Sequence, residues 1–247
     1  MNNYIKSEIY RFNNKKTYRN TAIVLLSLVV LVAMGIVFSN IKYTVKEPLT
    51  SLVFFGIVMS QDTFMYVAAV IIADILLGKD IGVVKASINS GITRERIFKD
   101  KFKISLISFT ILEILIIIVS FIIGVVLIGN FNINDFKLYL VSLVNMFPIK
   151  ISVLAIAHVL GIFGNRFALL FILVIYEFLG AILSAASSLN IIIEKIYNIS
   201  PKGISDTIKA NFVKEEIIFM PRAWLVGIGI FSIVFFIGYS KYKKKDF

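Results

Sequence analysis

The chain has 247 residues, of which 58% are hydrophobic, and a mean hydropathy of +0.89. Soluble domains use about 45–50% apolar residues, so this composition belongs to an integral membrane protein rather than to a water-soluble enzyme. With no cysteine and one histidine, His158, disulfides and thiol chemistry are excluded, and a histidine-based metal centre or Ser-His triad is improbable; the net charge of +11 has to be explained by where it lies.

Residues 1–20 put Ile5, Ile9 and Phe12 on one helical face and Lys6, Asn13 and Asn14 off it, with Tyr4, Tyr10 and Tyr18 suited to the headgroup zone. This pattern predicts a short amphipathic helix on the inner leaflet. Six apolar runs then approach or exceed the roughly 20 residues needed to cross hydrocarbon: residues 21–39, 49–77, 104–129, 138–163, 167–193 and 223–240. The second, third and fifth are long enough to tilt, kink or contain a break. The first run is too long for a signal-peptide h-region and lacks a following A-x-A-like site.

Seventeen Lys and Arg residues fall on the side of residues 1–20, 78–103, 164–166 and the tail, against eight on the other side. The positive-inside rule therefore predicts both termini in the cytoplasm. Charge explained by topology gives no reason to invoke nucleic acid.

The connection 78–103 divides at Asn89-Ser90-Gly91, a turn signal. Before it, Ile81, Val84 and Ile88 recur at helical spacing. After it, Thr93 can N-cap a helix with Glu95 in its first turn and Ile97, Phe98 and Phe102 along one side. Two short helices around a turn are expected at the inner face, with apolar sides suited to docking a protein. On the other side, residues 194–222 carry Ile204, Ile208, Phe212 and Ile217-Ile218-Phe219, which predicts helices folding back on the outer leaflet.

Charges inside hydrocarbon cost at least about 2.5–3.5 kcal/mol and need a reason. Asp62 and Lys150 lie mid-span in the second and fourth runs, and an ion pair between them is the expectation. Glu113 and Glu177 lie about a third of the way into the third and fifth runs from the cytoplasm; Asp74 and His158 lie nearer the inner boundary. Catalytic motifs are missing. The nearest approach to a phosphate-binding loop, Gly78-Lys79-Asp80, lacks the upstream glycine and the hydroxyl residue, so no catalytic residue, metal ligand or cofactor is assigned.

Three stretches carry a family likeness. The opening MNNYIKSEIYRFNNKKTYRN, the connection GKDIGVVKASINSGITRERIFKDK and the tail GYSKYKKKDF together resemble the membrane (permease) subunits of type-2 ABC exporters. Asp80 stands where many members have Glu. The resemblance implies an all-α, single-domain permease with six membrane-spanning helices, an N-terminal elbow helix (1–20), a cytoplasmic coupling helix within 78–103 and return helices matching 203–219. It implies a dimer with a second copy or a paralogous permease, and two separate ATPase subunits that bind the ATP and magnesium. Their docking surface would include Asp80, Gly82, Gly91, Thr93, Arg94 and Arg96. The implied location is the bacterial cytoplasmic membrane, and the implied cargo is an amphipathic peptide of the bacteriocin or lantibiotic kind, for export or self-protection. From the residues alone, an ion-coupled secondary transporter using Asp62, Glu113, Lys150 and Glu177 stands as the alternative.

Overall fold

A computed structural model describes residues 3–42, 49–77, 81–128, 131–162 and 167–244, and among these the chain is helical with no strand. The helices are α1 (Asn3–Asn13), α2 (Lys16–Lys42), α3 (Ser51–Ser60), α4 (Asp62–Leu77), α5 (Ile81–Asn89), α6 (Arg94–Val126) and α7 (Ile133–Ile162). They are followed by α8 (Ala168–Leu173), a π-helical turn (Val174–Phe178), α9 (Leu179–Ser187), α10 (Ile191–Ile199), α11 (Pro201–Val213) and α12 (Pro221–Lys243).

Five segments are long and apolar enough to cross a membrane: α2, α6, α7, the α8–α9 unit and α12. The pair α3 and α4, bent by 45°, makes a sixth if the two are one broken span. The break between them falls at Gln61, whose N–H bonds Val58 O at 3.3 Å while its own carbonyl accepts from Phe64 N at 3.1 Å. The fifth run also departs from the expected 167–193. It contains the π turn and ends at Ser187, because Asn190 caps a new helix by accepting from Ile192 N at 2.7 Å.

α7 is the centre of the bundle. Its most apolar stretch is 72% buried inside the protein, against 17% for α12 and 22% for α2. It packs against α12, α4, α3 and α11. Two small-residue contacts let α12 lie close: a side chain at Gly227 would meet the backbone of Pro148, and one at Gly238 would meet Val159. Because lipid tails are as apolar as leucine, such close van der Waals packing rather than hydrophobicity holds spans together. Hydrogen bonds tie the remaining corners. Asn40 donates to Leu49 O and accepts from Leu49 N, joining the ends of the first and second spans, and Ser51 donates to Asp135 across to α7 at 2.5 Å.

α1 is amphipathic as expected but rotated from the expected face. Tyr4, Glu8 and Phe12 are its buried residues, while Ile5 and Ile9 are only half-buried. The reason is polar as well as apolar: Glu8 forms an ion pair with Arg11 at 2.7 Å, and Tyr4 joins a cluster with Ile97, Phe98 and Tyr242. Burial, with the Glu8 carboxylate beside it, raises the Tyr4 hydroxyl well above the usual tyrosine range.

The segment expected to return as helix over 203–219 is helical only to Val213. Residues 216–220 are non-helical, held by Asn145 of α7, which donates to Ile218 O at 2.7 Å and accepts from Met220 N at 2.9 Å.

The α7–α12 contact supplies a test. Gly227→Val places atoms inside 3 Å of the Pro148 backbone and is expected to destabilise the bundle by about 1–3 kcal/mol. Gly229→Val, where nothing lies within 4 Å, is expected to change stability by less than about 0.5 kcal/mol. Thermal melts of the two variants in detergent, compared with the parent, read the difference; equal melting would refute the close contact.

Candidate functional site

Two places hold the residues singled out in the sequence. The first is the turn between α5 and α6. Gly91 adopts φ +85°, a conformation that glycine takes without penalty, and the following Thr93 is extended and accepts from Arg96 N at 3.3 Å. The expected cap and turn are both present. The second expected short helix is not separate: α6 runs without interruption from Arg94 to Val126, 33 residues.

The apolar side of that helix is also used differently from the expectation. Ile97 and Phe98 are fully buried and Phe102 nearly so, all within this chain. Phe98 packs on Phe235, Tyr239 and Tyr242, and Phe102 on Phe231 and Phe235; both rings meet His158 edge-on. The face that pattern assigned to a docking protein is filled by the last span. Charge reinforces the junction. Lys243 Nζ lies 2.7 Å from Glu95 Oε1, Arg94 donates to Lys243 O at 3.4 Å, and Lys99 sits over the Tyr239 ring at 4.9 Å. Arg96, half-exposed, lies 3.6 Å from the buried Asp100. What remains open to solvent is α5 and the turn: Gly82, Val83, Lys85, Ala86, Asn89, Ser90 and Gly91. Asp80, the other residue assigned to this surface, lies outside the described residues.

Lys101 was counted in the sequence only as a topological charge. It is 1% exposed and donates to Leu76 O at 2.5 Å, satisfying a carbonyl at the C-terminal end of α4. Its position four residues after Ile97, on the buried side, was the readable signal.

The second place is at membrane depth. Lys150 Nζ lies 2.8 Å from Glu113 Oε1, joining α7 to α6, with both side chains under 10% exposed. The expected partner was Asp62. That residue opens α4, but its side chain lies outside the described residues. The pair forms one wall of a cavity of about 30 Å³ at the break in the second span, large enough for a water molecule. Gln61 and Tyr139 add polar atoms to it, and Met59, Phe64 and Leu143 line it with apolar surface. Lys150, two residues after Pro148, carries no sequence signal for Glu113; it falls on the same face of α7 as Leu143 and Tyr139 only once the helix is seen. Proline at 148 removes the hydrogen bond to the carbonyl one turn earlier and marks where α7 can bend.

Glu177 is not part of this site. It sits in the π turn of the fifth span and pairs with Lys202 of α11 at 3.1 Å. Lys202 also reaches Asp206 at 3.2 Å, and Asp206 accepts from Tyr197 at 2.6 Å. Glu177 is thus bound from the far end of the span. His158 is wholly buried, with Ser105 Oγ 3.5 Å from Nδ1. Among the described residues no cluster of His, Cys, Asp or Glu is arranged to hold a metal ion.

Comparison with profiles of known protein families and with curated proteins returns no match for this chain.

The buried pair is open to a double-mutant test. Removing one partner of a buried pair leaves an uncompensated charge and costs about 3–5 kcal/mol. Lys150→Met alone is therefore expected to destabilise strongly, and adding Glu113→Leu is expected to recover part of that loss, with a coupling of about 0.5–3 kcal/mol. Additive losses in detergent melts would show that the two side chains do not interact.

Proposed function

We propose that this chain is the permease subunit of an ATP-driven exporter of the ABC type, moving an amphipathic peptide across or out of the bacterial cytoplasmic membrane. One observation carries the reading. A short solvent-exposed helix, α5, is joined through a glycine turn and a capped corner to a single 33-residue helix that continues through the membrane. A stiff connector of this kind converts a push on its exposed end into displacement of a whole span. Such a connector suits a protein that receives work from a separate subunit, and the sequence has no phosphate-binding loop of its own.

In this reading two ATPase subunits bind ATP and magnesium and dock beneath a pair of permeases. The docking surface is the outer side of α5 with the turn: Gly82, Val83, Ala86, Asn89 and Gly91. Arg94 and Arg96 contribute at its edge while also bracing α6 against α12. α1, which packs beside Tyr242 through Tyr4, serves as the elbow helix. ATP-driven closure of the partner moves α6, and α6 carries the α12 end with it through Phe98, Glu95 and Lys243.

A second reading has its own support. The Glu113–Lys150 pair at a cavity beside a broken span is an arrangement suited to ion coupling. The two readings separate on energy source: a protonophore stops ion-coupled transport with ATP intact, whereas a catalytic-site variant of the ATPase stops the other.

Affinity purification of the tagged chain from its native membranes, with any co-purifying ATPase identified by mass spectrometry, provides the main test. The double variant Val83→Asp, Ala86→Arg lies on exposed positions and is expected to leave membrane insertion and melting unchanged. It is expected to lower the co-purified ATPase at least about tenfold, equivalent to about 1.4 kcal/mol of binding. Undiminished recovery of the ATPase, or failure of the parent chain to bring down any ATPase, would overturn the docking surface or the reading as a whole.

A further inference from the structure

We propose that α6 carries a binding site for an anionic phospholipid in the leaflet on the α5 side: Lys99 and Lys103 take the phosphate headgroup, and Ile107 and Ile114 take an acyl chain. This site is independent of what the protein transports.

At 100° per residue, Lys99, Lys103, Ile107, Ile114 and Ile118 fall within about 100° of one another on α6. All five are exposed, the three isoleucines at 57%, 48% and 48%. Along this one face, basic residues give way to apolar ones at a single point. From Lys103 to Ile114 the axis rises about 16 Å, roughly half of a 30 Å hydrocarbon layer. Side chains on a helix lean toward its N-terminus, here the α5 end. The Lys103 ammonium therefore reaches back toward Lys99 while its stem lies along the helix. Two cations thus meet at headgroup depth, in line with the isoleucines.

The carboxylates of α1 and of the first turns of α6 are Glu8, Glu95 and Asp100, and each already faces a base. Glu8 is paired with Arg11, Glu95 with Lys243 and Asp100 with Arg96. The charge left over on the stripe is that of Lys99 and Lys103. Lys99 is also seated: its ammonium lies 4.9 Å from the centre of the Tyr239 ring. α12 borders the stripe on that side. α2 borders it on the other, where Tyr18 donates to Ser108 O at 3.1 Å.

The occupant has to match both halves of the stripe. A soluble protein can meet the lysines but not the isoleucines, which lie on a helix long and apolar enough to cross a membrane. A second membrane helix packs best against small residues. Every exposed position of α6 from Ile107 to Val126 is Ile, Leu, Phe or Val. A lipid of negative charge fits both, with its phosphate on the lysines and its chain along the branched apolar surface.

The chain has one tryptophan, Trp224, so a fluorescent reporter can be placed by exchange. Ile107→Trp in a Trp224→Phe background is reconstituted in phosphatidylcholine–phosphatidylglycerol vesicles, with the acyl chains of one lipid or the other brominated to quench it. Phe171→Trp, at an exposed position of the fifth span, reports the bulk leaflet. At 107, brominated phosphatidylglycerol is expected to quench several-fold more than brominated phosphatidylcholine at equal mole fraction, with no such preference at 171. Each basic residue near an anionic surface is worth about fivefold in affinity. Lys99→Gln with Lys103→Gln is therefore expected to leave melting unchanged and to weaken phosphatidylglycerol binding at least about tenfold in a titration of the brominated lipid. Equal quenching by the two lipids at 107 overturns the proposal. A preference that is the same at 171, or that survives loss of both lysines, means diffuse attraction to the whole surface and overturns the site. Weak quenching by both lipids at 107 means that a protein covers the stripe, and overturns the lipid assignment.

Discussion

Hydrocarbon offers no water, so every backbone group or charge placed in it must find its partner within the protein, and an unsatisfied group costs several kcal/mol. The irregular features of this fold are the places where that demand is met by a named side chain. At Gln61, where the second span breaks, the peptide groups on either side remain bonded along the chain. At the far end of α4, where the helix leaves a carbonyl at Leu76, the buried Lys101 supplies the donor. At 216–220, where the chain leaves helix beside α7, Asn145 provides both a donor and an acceptor with one amide. At Leu76 and at 216–220 the partner comes from a different span, and each such partner fixes the position of one span against another.

The same demand makes α6 more than a connector. It carries the α5 turn at one end and Glu113 nineteen residues later, about 28 Å up its axis. At its base it is held to α12 by aromatic stacking and by the Glu95–Lys243 pair, and in the bilayer it is held to α7 by Glu113–Lys150. These attachments differ in kind. The lower one is rimmed by exposed charges and is screened by salt. The upper one is a buried pair at 2.8 Å, whose separation in a dry environment is costly. The α5 turn and the buried pair are thus two attachment points on one continuous helix.

Much of this architecture was legible in the sequence, and what was not has a common cause. Hydropathy located the spans because length and apolar content are set by the bilayer. Gly91 and Thr93 were legible because turn and cap chemistry are local. Azimuth was not. A one-dimensional pattern gives the depth of Lys150 but not which neighbours stand at that depth on the facing side, so Glu113 was not foreseen beside it. The same blindness assigned Ile97, Phe98 and Phe102 to a foreign partner, since an apolar stripe reads identically whether another chain or the last span covers it. It placed the buried face of α1 on Ile5 and Ile9, where Tyr4 and Glu8 lie inside. It also extended the fifth span to residue 193, because Ile191, Ile192 and Ile193 continue the hydropathy while the Asn190 cap ends the helix.

The intramembrane charges raise the question of whether they serve only to hold the bundle. Glu177 has a local answer: Lys202 and Asp206 come from α11 to meet it, and the π turn widens the helix where they meet. Glu113 and Lys150 differ, because they border a cavity large enough for water at a helix break and beside a proline. A purely structural pair is best served by close packing, which raises the cost of separating the charges. Space for a water next to the pair lowers that cost, and the break at Gln61 and the proline at 148 lie on the two neighbouring helices. Stability alone would favour filling that space with an apolar side chain. That space beside the Glu113–Lys150 pair distinguishes this region from the Glu177 cluster, whose carboxylate is met by Lys202 of α11.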